Sequence, residues 1–239
     1  MKTNNQILVP IDFTPKSLLA FEQAKYLAKM TNSDIMLINV IQLDSKSFSF
    51  VFEIFSDLEK DLMSQRIQKG IWDQLNELIE KNKDCGVKLQ AMVSIGKIYE
   101  KVMEASKSLN SNFIVIGSND DEADDSSLGS NASRIVRMSE VPVLTINKQI
   151  MKEMKNLILP LDLSKDTQQK VAKAIKIARQ TNAKISIVSA VFTDDPKIKK
   201  AIEVQMNVIG KFVKEHHGNV STEIIYDIRE GGSISSNLT

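Results

Sequence analysis

Short apolar runs alternate with longer amphipathic stretches along this chain. The runs at 7–11 and Ile35–Ile41 are rich in Ile, Leu and Val, as expected for strands buried on both faces of a parallel sheet. Between them, Thr14 followed by Pro15 is a favourable N-cap and first-turn pair for a helix. Strand, helix and strand joined by short turns predict a parallel pair with a right-handed crossover.

The same alternation continues through the first 146 residues. It predicts a helix over about 45–83, a strand near 87–95, a helix near 97–109, a strand at Phe113–Gly117, a helix near 129–138 and a strand at Val141–Ile146. Five strands alternating with four helices predict the α/β class, with an open, doubly wound and mostly parallel five-stranded sheet.

A second copy of the pattern begins 150 residues after the first. This shift superposes residues of matching type over residues 7–41 and 157–191, including Pro10 on Pro160, Asp12 on Asp162, Ala24 on Ala174 and Ala28 on Ala178. Agreement of residue type and spacing over such a length indicates an internal repeat. We therefore predict two domains in tandem, 1–150 and 151–239.

The second copy is shorter than the first. Its third strand is predicted near 221–228, and a segment rich in Gly and Ser follows at 230–236. Counterparts of one helix, two strands and a last helix are missing, which leaves an apolar strand edge uncovered. We expect either a truncated sequence or another chain that covers this edge.

Composition and charge narrow the class of protein. Hydrophobic residues make up 42% of the chain and charged residues 26%, as in globular proteins. The net charge of +1 creates no overall attraction to nucleic acid or an anionic membrane, so neither is predicted as a partner. The apolar run at the N-terminus is too short for a signal peptide, and the single cysteine, Cys85, excludes an internal disulfide. A cytoplasmic protein is expected.

The candidate chemistry lies where predicted strands end. In a doubly wound sheet, ligands bind beyond the carboxyl ends of the strands where the strand order reverses. Asp12 and Gly117 end two such strands, and Gly129 with Ser130 opens a helix, an arrangement that turns backbone N–H groups toward a phosphate. Taken singly, each has a structural explanation: a polar strand end, a strand-end glycine, and Ser130 as a helix cap. The ordered set is what points to a ligand.

This ordered set resembles the universal stress protein family. The family pattern is a strand ending in Asp, a strand followed by Gly, two residues, Gly, nine residues and Gly-Ser, and a closing Val-Pro-Val-Leu strand, here at 141–144. The resemblance covers 5–147 as a whole domain and 155–229 as part of another. It implies an adenine nucleotide α-hydrolase-like fold, and a homodimer or intramolecular pseudo-dimer.

The resemblance also implies which residues hold a ligand. In nucleotide-binding members, ATP or another adenine nucleotide would lie with its adenine and ribose near Asp12 and Val40. Its phosphates would lie near the glycines and the helix start that follows them, at Gly117, Gly129, Ser130 and Asn131. The second domain ends before any phosphate loop and is not expected to bind nucleotide alone.

One segment departs from the family pattern. Asp120 replaces the second glycine, eight residues rather than nine precede Gly129, and 120–125 contributes five carboxylates where phosphates would lie. Like charges about 4 Å apart repel by about 1 kcal/mol in water. The same carboxylates could instead gather a divalent cation such as Mg²⁺ that bridges to phosphates. Both outcomes remain open.

The sequence leaves three functions open. The leading one is a non-enzymatic, cytoplasmic stress-response protein with regulatory nucleotide binding in its first domain. The second is a scaffold that does not bind nucleotide and uses the acidic run and four phenylalanines, Phe48, Phe50, Phe52 and Phe55, as interaction surfaces. The third is a slow nucleotide hydrolase. The chain has no Ser-His-Asp order, Walker lysine or dinucleotide-binding glycine motif, so no catalytic residue is predicted.

Overall fold

The structure is a computed structural model that describes residues 5–42, 57–118, 129–147, 150–163 and 166–226, without the side chains of 57–60. It divides into two compact units, Met1–Lys152 and Glu153–Thr239. The acidic run 120–125 and the four phenylalanines at 48–55 lie outside the described residues. None of the described helices is long and apolar enough to cross a membrane.

Strands and helices alternate throughout the described part of the first unit. The elements are β1 (Gln6–Pro10), α1 (Pro15–Thr31), β2 (Asp34–Ile41), α2 (Asp57–Lys81), β3 (Leu89–Ile95), α3 (Ile98–Ser108), β4 (Phe113–Gly117), α4 (Ser130–Met138) and β5 (Val143–Ile146). A short 3-10 turn, Lys83–Cys85, follows α2.

The five strands form one sheet in the order β3-β2-β1-β4-β5, and every neighbouring pair is parallel. This confirms the predicted doubly wound α/β fold. The chain builds outward from β1 to β3 and then returns to β4, so the strand order reverses between β1 and β4. The helices that follow β1 and β4, which are α1 and α4, therefore diverge from each other. They leave a crevice at the carboxyl ends of these two strands.

Strand β5 is shorter than predicted at its start. The sequence pattern placed its beginning at Val141, whereas the structure begins β5 at Val143. Pro142 has no N–H to donate to a ladder, and its carbonyl oxygen accepts a hydrogen bond from the Ile114 N–H at 3.0 Å. Pro142 therefore contributes only its carbonyl group, and the paired residues of β5 begin with Val143.

Local signals in the sequence define both ends of α1. The Thr14 hydroxyl accepts a hydrogen bond from the Ser17 N–H at 3.3 Å and Pro15 occupies the first turn, as predicted. The helix ends at Asn32, whose left-handed backbone (φ 49°) lets its N–H donate to the Ala28 carbonyl. The buried face consists of small and apolar residues at helical spacing, among them Ala20, Phe21, Ala24, Leu27 and Ala28.

Strand β1 lies at the centre of the core. Ile7, Leu8 and Val9 are each fully buried, because strands flank β1 on both sides and helices cover both faces. Burying one such side chain contributes about 1.5–3 kcal/mol. On one face, residues of β1, β2 and β4 pack against α3 and α4 in a single cluster that includes Leu8, Ile38, Val102, Ile114, Ile116, Ala132 and Ile135. This packing holds the start of α4 beside the carboxyl edge of the sheet.

The second unit contains a smaller sheet. Its elements are β6 (Asn156–Pro160), α5 (Thr167–Thr181), β7 (Lys184–Val191), α6 (Pro196–His217) and β8 (Val220–Tyr226). The three strands pair in parallel in the order β6-β7-β8. No described strand pairs with the other edge of β6. Ile158 is 49% exposed, whereas Leu8 at the corresponding position of β1 is 0% exposed. Leu8 is covered by residues of α3 and α4, and the described residues of the second unit contain no counterpart of these two helices.

Helix α1 lies directly on the end of β4 because residue 117 is glycine. A Cβ at this position would lie 2.6 Å from the Lys16 carbonyl oxygen and 2.7 Å from the Lys16 carbonyl carbon. Side chains in folded proteins do not approach backbone this closely, so any other residue would force the helix and the strand apart. Gly117 therefore has a packing role, whatever it contributes to a ligand.

We expect Gly117→Ala to lower the free energy of unfolding of the first unit by about 1–3 kcal/mol, because the added methyl group overlaps backbone atoms. The only tryptophan of the chain, Trp72, lies in α2. Urea unfolding followed by its fluorescence therefore measures the first unit. Gly70→Ala is the control: it lies within α2 with nothing within 4 Å and should raise stability by about 0.5–1 kcal/mol. Equal effects of the two substitutions would contradict the packing role.

Candidate functional site

A cleft of about 170 Å³ opens at the carboxyl ends of β1, β2 and β4, where the strand order reverses. The structure brings all six residues singled out in the sequence into its lining: Asp12, Val40, Gly117, Gly129, Ser130 and Asn131. They come from three strand ends and one helix start that are far apart along the chain. Their meeting in one cleft is a consequence of the doubly wound topology.

One wall of the cleft is apolar. Besides Val40, it contains four isoleucines that the sequence pattern did not single out, Ile38, Ile98, Ile116 and Ile135. Ile38 and Val40 are two positions apart on β2 and therefore point to the same face. This two-residue spacing could have indicated that Ile38 and Val40 share a face. It could not indicate which face of the sheet borders the cleft. The wall offers a surface on which a planar, apolar group can stack.

Asp12 lies in a tight turn at the end of β1. Its Oδ1 accepts hydrogen bonds from the Thr14 hydroxyl at 2.6 Å and the Thr14 N–H at 3.0 Å, while the Asp12 N–H donates to the Ser17 hydroxyl at 3.3 Å. Between them, Phe13 has a left-handed backbone with φ of 64°. Such a conformation costs a residue other than glycine about 1–3 kcal/mol. The turn fixes the direction in which the carboxylate faces the cleft.

The same turn keeps the carboxylate ionised. Partial burial raises the pKa of Asp12, but hydrogen bonds from the hydroxyls of Ser17 and Thr14 and from backbone N–H groups lower it further. The net pKa lies below the ordinary value of 3.8. At neutral pH the group therefore accepts hydrogen bonds and has little tendency to take up a proton.

Helix α4 begins at the cleft without a side-chain cap. Gly129 occupies the N-cap position with φ −51° and ψ 153°, and no side chain there hydrogen-bonds to the helix. Ser130 is the first helical residue, so the alternative that Ser130 caps the helix is wrong. The N–H groups of Ser130 and Asn131 have no partner within the helix, and this end carries the positive end of the helix dipole. Such an end binds anions.

Helix α3 also starts at the cleft. Its N-cap residue, Lys97, makes no side-chain capping hydrogen bond, and the first helical residue, Ile98, lines the cleft. The uncapped starts of α3 and α4 therefore border the cleft together with the capped start of α1, and helix dipoles favour a negative charge near such ends. Among the residues that the structure describes, no three His, Cys, Asp or Glu side chains cluster to hold a metal ion.

In the second unit, the aspartate that corresponds to Asp12 is Asp162, and it has a different neighbour. Asp162 Oδ1 lies 3.0 Å from Lys170 Nζ, and residue 170 corresponds to Ala20, which is 0% exposed in the first unit. Leu163 repeats the left-handed backbone of Phe13, with φ of 55°. The left-handed backbone after this aspartate therefore occurs in both units, while the carboxylate of the second unit is held by a lysine.

Comparison with known proteins decides the family. A family model described as the universal stress protein family matches residues 3–147, which is more than half of the chain. The chain belongs to the universal stress protein family. This confirms the resemblance found in the sequence over the first copy, whereas the resemblance of 155–229 stays a prediction.

Solved structures of universal stress proteins share the fold. A universal stress protein from Archaeoglobus fulgidus superposes with a TM-score of 0.69 and 20% identity, covering 94% of this chain and 79% of that one. A universal stress protein from Pseudomonas aeruginosa gives a TM-score of 0.63 and 14% identity, covering 93% of this chain and 75% of that one. At such identities the likeness concerns the fold alone.

The lowered pKa of Asp12 predicts how its contribution to stability depends on pH. Because the pKa is lower in the folded state, the carboxylate stabilises the fold fully above the pKa of the unfolded chain, about 3.9. This contribution is lost as the pH falls through the lower pKa of the folded protein. We expect Asp12→Asn to have a lower melting temperature than the wild type at neutral pH. The difference should shrink as the pH falls below the pKa of the unfolded chain and through the lower pKa of the folded protein.

Thermal unfolding of both proteins across this pH range tests the expectation. Asp61→Asn, an exposed aspartate on α2, controls for the loss of one surface carboxylate. A difference between wild type and Asp12→Asn that stays constant with pH would show that the hydrogen bonds do not favour the ionised form of Asp12.

Proposed function

We propose that the first domain of this universal stress protein binds an adenine nucleotide, ATP foremost, in the cleft between β1 and β4. The observation that carries this proposal is the pairing, within one cleft, of an apolar wall with an uncapped helix amino terminus. A nucleotide has the matching pair of features, a planar base and a chain of phosphates. Membership of the universal stress protein family supports the same function.

Each part of the ligand has a matching part of the cleft. The base would stack on Val40 and Ile98, the partly exposed apolar side chains of the wall, where burial of its faces is favourable. The ionised carboxylate of Asp12 would accept a hydrogen bond from the ribose or the adenine amino group. The phosphates would accept hydrogen bonds from the backbone N–H groups of Ser130 and Asn131 at the start of α4.

Nucleotide occupancy would act as a regulatory signal in a stress response. A ligand shifts a protein between states only when it binds one state more tightly than the other. In this cleft the ligand would bridge three strand ends and the starts of α3 and α4. It would therefore favour arrangements in which these elements stay together, and partners that recognise that arrangement would bind only the occupied form.

A divalent cation would act through the phosphates. The described residues provide one carboxylate in the cleft lining, Asp12, and Mg²⁺ usually takes one or two carboxylates together with substrate phosphates. Further carboxylates at 120–125 follow Gly117 in the sequence. Binding that strengthens with Mg²⁺ and weakens with EDTA would show that a cation accompanies the phosphates.

Binding without turnover fits the chemistry of the cleft better than hydrolysis. A general base that works near neutral pH needs a pKa raised toward 7. The pKa of Asp12 is lowered instead, and no other described lining residue is a carboxylate, histidine, cysteine or tyrosine. The hydrolase therefore has little support among the described residues.

We expect ATP hydrolysis by the purified protein with Mg²⁺ to match the rate in buffer, because the cleft lacks a suitable base. Phosphate release over several hours measures the rate. Asp12→Asn is the control, since it removes the only described carboxylate of the lining and should leave the rate unchanged. Turnover that disappears in Asp12→Asn would establish a slow hydrolase.

The exposed face of α6 favours a second candidate function. Val204, Val208 and Phe212 follow one another at intervals of four on this helix and are 55%, 62% and 47% exposed. An apolar stripe of this kind is typical of interaction surfaces. A scaffold of the same fold, without nucleotide, would use such a surface, and it is the function to pursue if no nucleotide binds.

Three sequence-based expectations stay predictions. They are the boundaries 1–150 and 151–239 of the domains, the homodimer or intramolecular pseudo-dimer, and the cytoplasmic location. The proposed nucleotide site depends on none of them, because its described residues all belong to one unit.

A negative charge at the start of α4 tests the nucleotide site. We expect wild-type protein to bind ATP with micromolar affinity, about −8 kcal/mol, in calorimetry. Asn131→Asp should weaken binding at least tenfold, because the new carboxylate repels phosphates. The same charge favours a helix start, so the melting temperature should not fall.

Asn110→Asp is the matched control. It is also an isosteric change that adds one charge, and it lies between α3 and β4, at the opposite end of the sheet. Its ATP affinity should stay within about twofold of wild type, since a charge more than a Debye length away is screened. No detectable ATP binding by the wild type, with or without Mg²⁺, would reject the nucleotide site and favour the scaffold.

A further inference from the structure

The charge in the cleft lining is confined to two side chains. Among the described lining residues, Asp12 is the only acid and Lys16 is the only base. Lys16 did not stand out in the sequence, because it lies in the first turn of α1, outside the strand ends and glycines of the family pattern. Its place in the lining emerges only from the packing of α1 against β4.

Helix stability does not account for a lysine at this position. A positive charge in the first turn is unfavourable because this end of a helix already carries the positive end of the dipole. No residue within the first turn of α1 is acidic. At the corresponding place in the second unit the chain has Asp166, the charge that a helix start favours. Lys16 therefore goes against the preference of the helix dipole, in the unit whose described residues form the cleft.

The backbone of Lys16 is held at a defined point of the cleft. Its carbonyl group packs against Gly117 so closely that a Cβ there would lie 2.6 Å away. The side chain thus departs from a site beside the end of β4. This is the strand whose end, with the start of α4, supplies the glycines and N–H groups proposed for the phosphates.

We propose that Lys16 is the specificity-determining residue of the cleft and selects ligands by their phosphate chain. This inference rests on the proposed nucleotide site and assigns to one side chain the preference for ATP over AMP and adenosine. The lysine ammonium is a compact charge with three donors on a flexible stem, so it can follow phosphate oxygens that a rigid backbone cannot reach. Its contribution grows with the number of phosphate charges within reach.

The test is Lys16→Met, which keeps an unbranched side chain one atom shorter than lysine and removes the charge. Calorimetry with ATP, AMP and adenosine on the full chain should show ATP binding weakened at least tenfold, AMP less, and adenosine within about twofold of wild type, since charged hydrogen bonds are the strong ones. Lys29→Met is the matched control. It removes the same charge from the last turn of the same helix, about 20 Å away, and should change no affinity.

Inorganic tripolyphosphate separates this inference from the proposed function. It carries the phosphate charges without a base, and its binding to wild type should also fall at least tenfold in Lys16→Met. Tripolyphosphate binding that depends on Lys16, without any binding of ATP, would retain the phosphate role and reject the nucleotide site.

Two results with Lys16→Met would overturn the inference and leave the nucleotide site in place. One is ATP affinity in Lys16→Met equal to that of wild type. The other is an equal loss for ATP and adenosine, which would show that the substitution disturbs the cleft as a whole. Absence of binding by wild type to ATP, adenosine and tripolyphosphate alike would overturn both this inference and the nucleotide site.

Discussion

The contact between Gly117 and the backbone of Lys16 is the constraint on which the first unit depends. Because residue 117 has no side chain, the first turn of α1 rests on the end of β4, the strand that the chain reaches only after completing β3. The pairing of β1 with β4 joins the two halves of the sheet, and the contact between Gly117 and Lys16 holds α1 against the carboxyl end of β4. The turn that carries Asp12 and the start of α4 then border one cleft, whose position follows from the doubly wound topology.

A site built in this way is suited to holding a ligand more than to transforming one. Much of its polar character comes from backbone N–H groups at helix starts, whose direction is set by the fold. The principal acidic side chain, Asp12, is held ionised by Thr14 and Ser17. Fixed donors and a fixed acceptor recognise a shape and a charge pattern. Chemistry would require a group whose proton is free to move near neutral pH.

Much of the first unit could be predicted from sequence, because its signals are local. The apolar runs of β1 and β2 predict buried strands, and Thr14 followed by Pro15 predicts the start of a helix. The six site residues could be predicted to form one site because they match the family pattern in the same order. The cleft role of Lys16 and of the four isoleucines could not be predicted, since it depends on how α1, α3 and α4 pack on the sheet. Element ends, such as the start of β5 after Pro142, were fixed by hydrogen bonds that a pattern does not show.

The left-handed turn after the first strand of each unit has a consequence for how this fold can change. Phe13 and Leu163 adopt nearly the same backbone conformation, although Asp12 faces a cleft and Asp162 is held by Lys170. The left-handed backbone at this position therefore does not depend on what the neighbouring aspartate contacts. Recognition in such a turn can be gained, lost or redirected by single substitutions without rebuilding the loop. That independence makes the turn an evolvable element of the fold.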